Sequence, residues 1–230
     1  QPSRSYSLAM PTGRMTDLSA AVKLTTARSH AFQMGRTRGA SLSISARARN
    51  ELSLADTLVN VAGFDRSTRE VVVRFRGALP LWGGGYTSHV LAVQASAGVA
   101  QGPGANAFHF RVGGASGQLE NLTGMELFGG SFIPHALRGY DTSSRFGRYA
   151  WSASTEYRFP LGIIDWGMGA WPLYLNRAMG SVFFDSGNAW AGSSLSGAAN
   201  PRGKALASVG AEITTEILGL YDVGMRLRMG

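Results

Sequence analysis

Apolar and polar residues alternate along several segments of this chain, and the alternation has the two-residue period of a β-strand. In Trp151–Phe159, aromatic and small residues occupy the odd positions, while Ser152, Ser154, Glu156 and Arg158 occupy the even ones. Successive side chains of a strand point to opposite faces, so this segment predicts a strand with one apolar and one polar face. The same period is present in Gly39–Arg49, Val71–Arg76, Phe108–Val112 and Tyr221–Met229.

Weaker strand patterns fill much of the remaining chain. They lie at Ser5–Met10, Ala20–Ala27, Val90–Ala100, Met168–Leu175, Met179–Asp185 and Lys204–Ile217. We therefore expect roughly nine to eleven strands, most of them about 9–12 residues long, which is the length that a tilted strand needs to cross a bilayer. Long helical periodicity is absent, and only a short helical turn is expected, at Asp56–Gly63.

Glycine-rich and polar stretches separate these segments, as at Trp82–Gly85, Gly102–Asn106 and Gly192–Arg202. The longest connection runs from Gly113 to Ser144. A loop of about 30 residues in a compact domain is usually functional. We expect one β domain over residues 1–230, with the loop 113–144 folded inward.

The hydropathy of the chain bears on whether it crosses a membrane, and with which kind of element. The chain has 230 residues with a mean hydropathy of −0.02, and it contains no run of about 18 uncharged apolar residues, which a transmembrane helix would need. A β-barrel escapes this test because only alternate residues face lipid. A water-soluble β-sandwich is the alternative. Aromatic residues near strand ends and many arginines on the polar faces favour an all-β, antiparallel transmembrane β-barrel.

The chain carries a formal net charge of +8 and no cysteine, which excludes a disulfide framework and a thiolate metal site. Its arginines are spread over many strands without a stacking platform or a reading helix, so nucleic acid is not an expected partner. If these arginines line the lumen, one interpretation is that they make the channel interior electropositive. The other is that they neutralise acidic residues of the wall and the loop, or contact lipopolysaccharide phosphates at the rim. The basic residues expected in the lumen are Arg47, Arg49, Arg74, Arg76, His109, Arg111, Arg158, Arg226 and Arg228.

Several short motifs in the second half of the chain occur in an order and at a spacing that resemble the BamA/TamA-type outer-membrane assembly-factor superfamily. The resemblance covers Ala105–Gly230. Its residues are Arg111–Gly114, Phe128–Gly130, Leu137–Tyr140, Glu156–Pro160 and Val182–Gly187. In that superfamily, the Leu137–Tyr140 segment corresponds to the tip of a loop that folds into the barrel.

The resemblance implies that Arg138 pairs with Asp185, and we expect Glu156 to be a second acceptor. Alternation places both carboxylates on the polar faces of their strands, and a guanidinium offers a planar fork of donors to a carboxylate. Gly139 would allow a tight turn before Tyr140. The alternative is that Arg138 lies in an exposed turn and Asp185 is solvated.

The chain also departs from the superfamily pattern. The resemblance implies POTRA domains before the barrel, about sixteen strands, and a last strand that ends on an aromatic residue, whereas this sequence has none of these. Gln1 follows no apolar leader. We therefore expect a mature or shortened piece that forms an incomplete portion of a larger barrel, closed by missing strands or by further chains.

Covalent chemistry is not expected, and neither is a cofactor or a metal. The four histidines, His30, His89, His109 and His135, do not have metal-ligand spacing. Asp185 and Glu156 resemble a pair of catalytic carboxylates, but Arg138 and Arg158 are ready to neutralise them. An enzyme is therefore the less favoured interpretation.

Three functions remain open at this point. The first is insertion of outer-membrane proteins, the second is translocation of a polypeptide through the lumen, and the third is a structural or anchoring barrel within a larger outer-membrane complex. All three imply an integral protein of the bacterial outer membrane. The expected partners are outer-membrane lipid, lipopolysaccharide, and substrate polypeptides or other envelope proteins.

Overall fold

A computed structural model describes residues 14–28, 35–53, 67–84, 87–102, 110–114, 135–141, 144–167, 173–190, 204–219 and 223–230. Within these ranges the chain forms ten β-strands and no α-helix, so the prediction of an all-β antiparallel protein is confirmed. In the same ranges, no helix is long and apolar enough to cross a membrane. The strand predicted at Ser5–Met10 and the helical turn predicted at Asp56–Gly63 both lie outside the described residues.

The strands are β1 (Arg14–Thr25), β2 (Gly39–Ser53), β3 (Ser67–Trp82), β4 (His89–Gln101), β5 (Phe110–Val112), β6 (Arg145–Gly147), β7 (Tyr149–Gly167), β8 (Leu173–Trp190), β9 (Leu206–Gly219) and β10 (Val223–Met229). Eight of them form one antiparallel sheet in the order β1-β2-β3-β4-β7-β8-β9-β10, and β5 pairs with β6 in a separate two-stranded sheet. The large sheet is thus a meander, interrupted between β4 and β7 by the β5–β6 pair and its long connection.

The large sheet is open over the described part of the chain. There, β1 pairs with β2 alone and β10 pairs with β9 alone. A closed barrel formed by this chain alone is therefore wrong for the described residues, because β1 and β10 lie at opposite edges of the eight-stranded sheet. The described residues form an open sheet instead.

The two faces of the large sheet differ in chemistry. On β7, buried residues alternate with more exposed ones from Tyr149 to Phe159, as the period of two predicts. One face, which we call the loop face, carries β5, β6 and the segment 135–141. The opposite face, which we call the apolar face, exposes large hydrophobic side chains, among them Leu18, Val22, Ile44, Phe75, Val93, Val182, Phe184, Val209 and Ile213.

The buried core lies on the loop face, between the large sheet and the β5–β6 pair. It consists of Val72, Ala100, Phe110, Val112, Leu137, Ala150 and Ala189. Close approach requires a glycine at position 98, since a Cβ there would lie 2.9 Å from Phe110 Cζ and 3.1 Å from His135 Nε2. The core therefore packs β5 and Leu137 against β3, β4, β7 and β8.

Two predictions about individual elements are corrected. The segments Met168–Leu175 and Met179–Asp185 were expected to be two strands, yet Leu173–Trp190 is a single strand, β8. Its pairing with β9 shifts between Leu175 and Arg177, and this irregularity breaks the two-residue period without ending the strand. Arg111 was expected on the polar wall, but it belongs to β5, outside the large sheet.

Candidate functional site

The end of the long connection is held against its beginning by backbone hydrogen bonds. Leu137 N donates to Gly114 O at 3.0 Å, Gly114 N donates to Tyr140 O at 3.0 Å, and Gly113 N donates to His135 O at 3.3 Å. Leu137 is fully buried in the core. These contacts place the next residue, Arg138, over the loop face of β7, β8 and β9.

Arg138 makes a bidentate contact with Asp185 of β8. Its Nε lies 2.7 Å from Asp185 Oδ2 and its Nη2 lies 2.7 Å from Oδ1. The backbone N–H of Arg138 donates to the same carboxylate at 3.2 Å. Only 8% of Arg138 and 2% of Asp185 are exposed, so the pair is largely desolvated and depends on this paired geometry.

Two further carboxylates complete what we call the arginine socket, which is formed by Asp185, Glu156, Glu212 and Ser154. Arg138 Nη1 donates to Glu156 Oε2 at 3.1 Å and to Glu212 Oε2 at 3.0 Å. Its Nη2 donates to Ser154 Oγ at 3.0 Å. The socket thus takes residues from three adjacent strands, β7, β8 and β9.

Phe183 lies beneath the guanidinium group, whose central carbon is 3.5 Å from the centre of the aromatic ring. A cation over an aromatic face is attracted by the ring quadrupole. Burial alone would lower the pKa of Arg138, but the hydrogen bond to Asp185 and the charges of Asp185, Glu156 and Glu212 raise it above its ordinary value. Arg138 is therefore a permanent cation.

Gly139 and Tyr140 continue the loop towards β9. Gly139 has a φ of +79°, a conformation that strains any residue with a Cβ. A Cβ there would meet the Ser208 side chain at 3.4 Å. Tyr140 donates its hydroxyl proton to Ala207 O at 2.8 Å. The turn at Gly139 therefore allows Arg138 to enter the socket while Tyr140 reaches β9.

His135 anchors the same segment on β4. Its Nδ1 lies 2.9 Å from Ser96 Oγ, which in turn lies 2.8 Å from Ser152 Oγ. Its ring meets Phe110 edge-on, with 5.4 Å between the ring centres. Burial, aided by the charge of Arg74, lowers the pKa of His135 to about 4. His135 is accordingly neutral at pH 7 and acts as a hydrogen-bonding packing residue.

The predicted site residues fall into two groups. The structure brings together Arg138, Glu156 and Asp185 in one cluster, with Gly139 and Tyr140 beside it. Arg158 joins this cluster, since its Nε donates to Glu156 Oε1 at 2.7 Å.

The other basic residues lie outside β7, β8 and β9, the strands that form the socket. Arg74 and Arg76 are half-buried on the loop face of β3. Arg111 is exposed, because its neighbours Phe110 and Val112 point into the core. Arg226 and Arg228 lie in β10, but their side chains are outside the described residues, as is His109.

Sequence reasoning missed Glu212 and Ser154 as members of the socket, and Phe183 as the aromatic ring beneath the guanidinium group. Phe183 shares the face of Asp185 because the two are two positions apart in the strand, and Ser154 shares the face of Glu156 for the same reason. Glu212 pairs in register with Ser181 across β8 and β9. Alternation alone could have assigned all three to the loop face, but only the strand register shows which side chains meet Arg138.

A comparison with protein-family models finds no match to this chain, and a comparison with curated proteins finds none either. Within the described ranges, no group of three or more histidine, cysteine, aspartate or glutamate residues is arranged to hold a metal ion. The geometry of the site is that of a cationic loop tip held by three carboxylates on a strand wall.

Proposed function

We propose that this chain is a wall portion of an outer-membrane β-barrel that acts in the insertion or translocation of polypeptides, as its resemblance to the BamA/TamA-type superfamily implies. One observation carries the proposal. A single antiparallel sheet exposes apolar side chains on one face, and on the other it holds a connecting loop by a buried arginine in a socket of three carboxylates.

The apolar face has dimensions that suit a bilayer. On β3, exposed apolar residues run from Val71 through Phe75 and Leu79 to Leu81. Ten residues of strand span about 33 Å, which becomes about 25 Å across the membrane when a strand is tilted by about 40°. Soluble monomers rarely expose an apolar surface of this extent, so lipid is the environment that we propose for it.

Aromatic groups mark two levels along β7, as expected at the two interfaces of a bilayer. At one level Tyr149 stacks on Trp190, with 5.6 Å between the ring centres. At the other, Tyr157 lies 5.9 Å from His89, which lies 5.0 Å from Trp82. The two tyrosines are eight positions apart, about 26 Å along the strand, which becomes about 20 Å across the membrane at the same tilt of about 40°. The two aromatic levels are therefore slightly closer together than the roughly 25 Å height of the apolar band.

The socket supports a role for the loop within the barrel. Because Asp185, Glu156 and Glu212 lie on three adjacent strands, one arginine ties the loop to all of them. We propose that this tie keeps the loop beside the inner wall and sets the path along which a substrate polypeptide passes. The barrel itself would be completed by strands beyond those that the structure describes or by further chains.

A vesicle assay tests this proposal. The chain is reconstituted into phospholipid vesicles, and an unfolded client β-barrel is added, whose folding is followed by its heat-modifiable migration in gels. We expect the wild-type chain to accelerate client folding over empty vesicles. The Arg138→Ala variant should lose this acceleration, while Arg47→Ala, which removes an arginine from the β1–β2 edge, should retain it.

The alternative function, a structural or anchoring barrel, gives a different result in the same assay. It is favoured by one observation, namely that Arg138 is held by several acceptors at once, which suits a static tie. Stable membrane insertion of the chain without any acceleration of client folding would support anchoring over assembly. Failure of the chain to enter vesicles at all would overturn both functions.

A further inference from the structure

A cavity of about 40 Å³ lies on the loop face between β3, β4 and β7. Its volume is larger than the roughly 10–15 Å³ that one water molecule needs, so it has room for a small polar group. The lining includes Arg36, from the connection between β1 and β2, together with residues of the three strands. The cavity is thus built from a strand wall and a cover.

Two alanines leave the space open. Ala78 of β3 pairs with Ala92 of β4, and Ala92 pairs in turn with Glu156 of β7. In the adjacent row, Arg76 pairs with Gln94. Because the alanine side chains are short, the volume above them remains unfilled between the longer side chains on either side.

Three guanidinium groups and one carboxylate line this cavity: those of Arg36, Arg76, Arg158 and Glu156. Arg158 is 9% exposed, and its Nε donates to Glu156 Oε1 at 2.7 Å. Arg36 Nη1 donates to Ser41 Oγ at 2.8 Å, which holds the cover in place. The cover lies directly on the wall, since a Cβ at Gly35 would be 3.0 Å from Arg158 Nη1.

We infer that this cavity binds a phosphoryl group. Three positive charges and one negative charge leave an excess of two positive charges, which matches the roughly −1.5 to −2 charge of a phosphate monoester at about pH 7. The planar donor fork of arginine fits phosphate oxygens, and the Gln94 side chain adds a neutral donor. Either free phosphate or the phosphomonoester headgroup of a lipid carries this chemistry.

The inferred site adjoins the arginine socket, because Glu156 and Ser154 line the cavity and also accept from Arg138, but two other positions of its lining allow a separate test. Arg138 does not line the cavity, and Arg36 and Ala78 make no contact with Arg138 among its hydrogen bonds. Variants at these two positions therefore probe phosphate binding without removing the loop anchor.

Isothermal titration calorimetry tests the inference with the full chain in a phosphate-free maltoside detergent at about pH 7. One arm titrates inorganic phosphate. The second arm titrates a short-chain phosphatidic acid, with the matching phosphatidylcholine as its control. Arg36→Gln removes one cation, Ala78→Leu fills the cavity while keeping every charge, and Arg111→Gln removes an exposed arginine elsewhere as the matched control.

We expect saturable binding at one site that both cavity variants weaken about tenfold or more and that Arg111→Gln leaves within about twofold, since an exposed charge at a distance is screened. Binding of inorganic phosphate would identify free phosphate as a sufficient ligand. Binding of phosphatidic acid alone would identify the lipid headgroup. The inference is overturned if neither ligand saturates, if binding survives either cavity variant, or if all three variants weaken it equally.

Discussion

Two ion-pair clusters on the same sheet differ in their ratio of cations to carboxylates and in their exposure to solvent. In the arginine socket, one cation meets three carboxylates, and the side chains of Arg138, Glu156 and Asp185 are about one-tenth exposed or less. At the β1–β2 edge, one carboxylate meets two cations, since Asp17 accepts from Arg47 Nε at 2.8 Å and from Arg49 Nη2 at 3.2 Å. There the side chains are 33–44% exposed.

The difference between the clusters lies in what each one joins. The edge cluster connects neighbouring strands that the backbone ladder already holds in register, from Asp17 opposite Arg49 to Thr25 opposite Ser41. The socket connects a loop to strands with which it shares no ladder. Solvent screens an exposed pair, whereas removal of one partner from a buried pair leaves an uncompensated charge. The socket should therefore control the loop position, and the edge cluster should not.

The largest expected effect is that of Arg138→Ala. It removes one cation from three buried carboxylates, of which Glu156 keeps its contact with Arg158. Removal of one partner from a buried ion pair costs about 3–5 kcal/mol. This should release the loop and raise its opening equilibrium about a hundredfold or more. The measurement is the maleimide labelling rate of a cysteine introduced by Leu137→Cys, because Leu137 is fully buried and the sequence has no other cysteine.

The matched control for that experiment is Arg47→Ala on the same Leu137→Cys background. It also deletes an arginine from a carboxylate pair on the sheet, but at the exposed edge. Equal protection of Cys at position 137 in the Arg138→Ala variant and in the unmodified background would refute the idea that the socket holds the loop.

A second, smaller effect should come from acid acting on His135. Its pKa is lowered to about 4 in the folded protein from an ordinary 6.5, so the unfolded chain binds the proton more tightly. The stability contributed by the neutral ring is fully present above pH 6.5 and is lost as the pH falls towards 4. The free energy of urea unfolding in detergent should therefore fall by up to about 3 kcal/mol over this range.

The variant His135→Gln isolates this effect from the titration of carboxylates. It has no group that gains a proton in this range, so its stability should depend less on pH than that of the wild-type protein between pH 6.5 and about 4. Parallel pH profiles for the two proteins would show that burial of His135 does not contribute to acid sensitivity.

Single residues show how much of the two ion-pair clusters the sequence predicts. Alternation assigns Asp185 and Glu156 to the polar faces of their strands, because a period of two is a local property. It cannot tell that Glu212 meets Arg138, since that requires the register of β8 with β9. The burial that separates the two clusters is likewise a tertiary property.

Arg111 and Asn176 show the other limits of the pattern. Arg111 follows the alternation of Phe108–Val112, but the strand that contains it, β5, packs on the large sheet through Phe110 and Val112, which reverses the side that is buried. Asn176 has no partner between Leu175 and Arg177 in the register of β8 with β9, and this irregularity made one strand look like two. In both cases tertiary pairing overrode the local period.

Tyr140 holds the same loop segment to β9 by a hydrogen bond. Tyr140→Phe removes the hydroxyl that donates to Ala207 O at 2.8 Å and leaves the arginine socket intact. A neutral hydrogen bond contributes about 0.5–1.5 kcal/mol. Labelling of the Leu137→Cys background should therefore rise severalfold, well below the effect of Arg138→Ala. A larger rise for Tyr140→Phe than for Arg138→Ala would show that the hydrogen bond to β9, and not the ion pair with β8, is the main anchor of the loop.

The smallest effect is expected at the β1–β2 edge, where the ion pair is exposed. Arg47→Ala should change the labelling rate of Leu137→Cys by no more than about twofold, because solvent screens the exposed pair and Arg49 still faces Asp17. The double variant Arg47→Ala/Arg138→Ala should then behave as Arg138→Ala alone, since distant sites act additively. A large effect of Arg47→Ala on the labelling rate, or a double variant that is labelled far faster than Arg138→Ala, would mean that the edge ion pair is energetically coupled to the loop across β3 and β4.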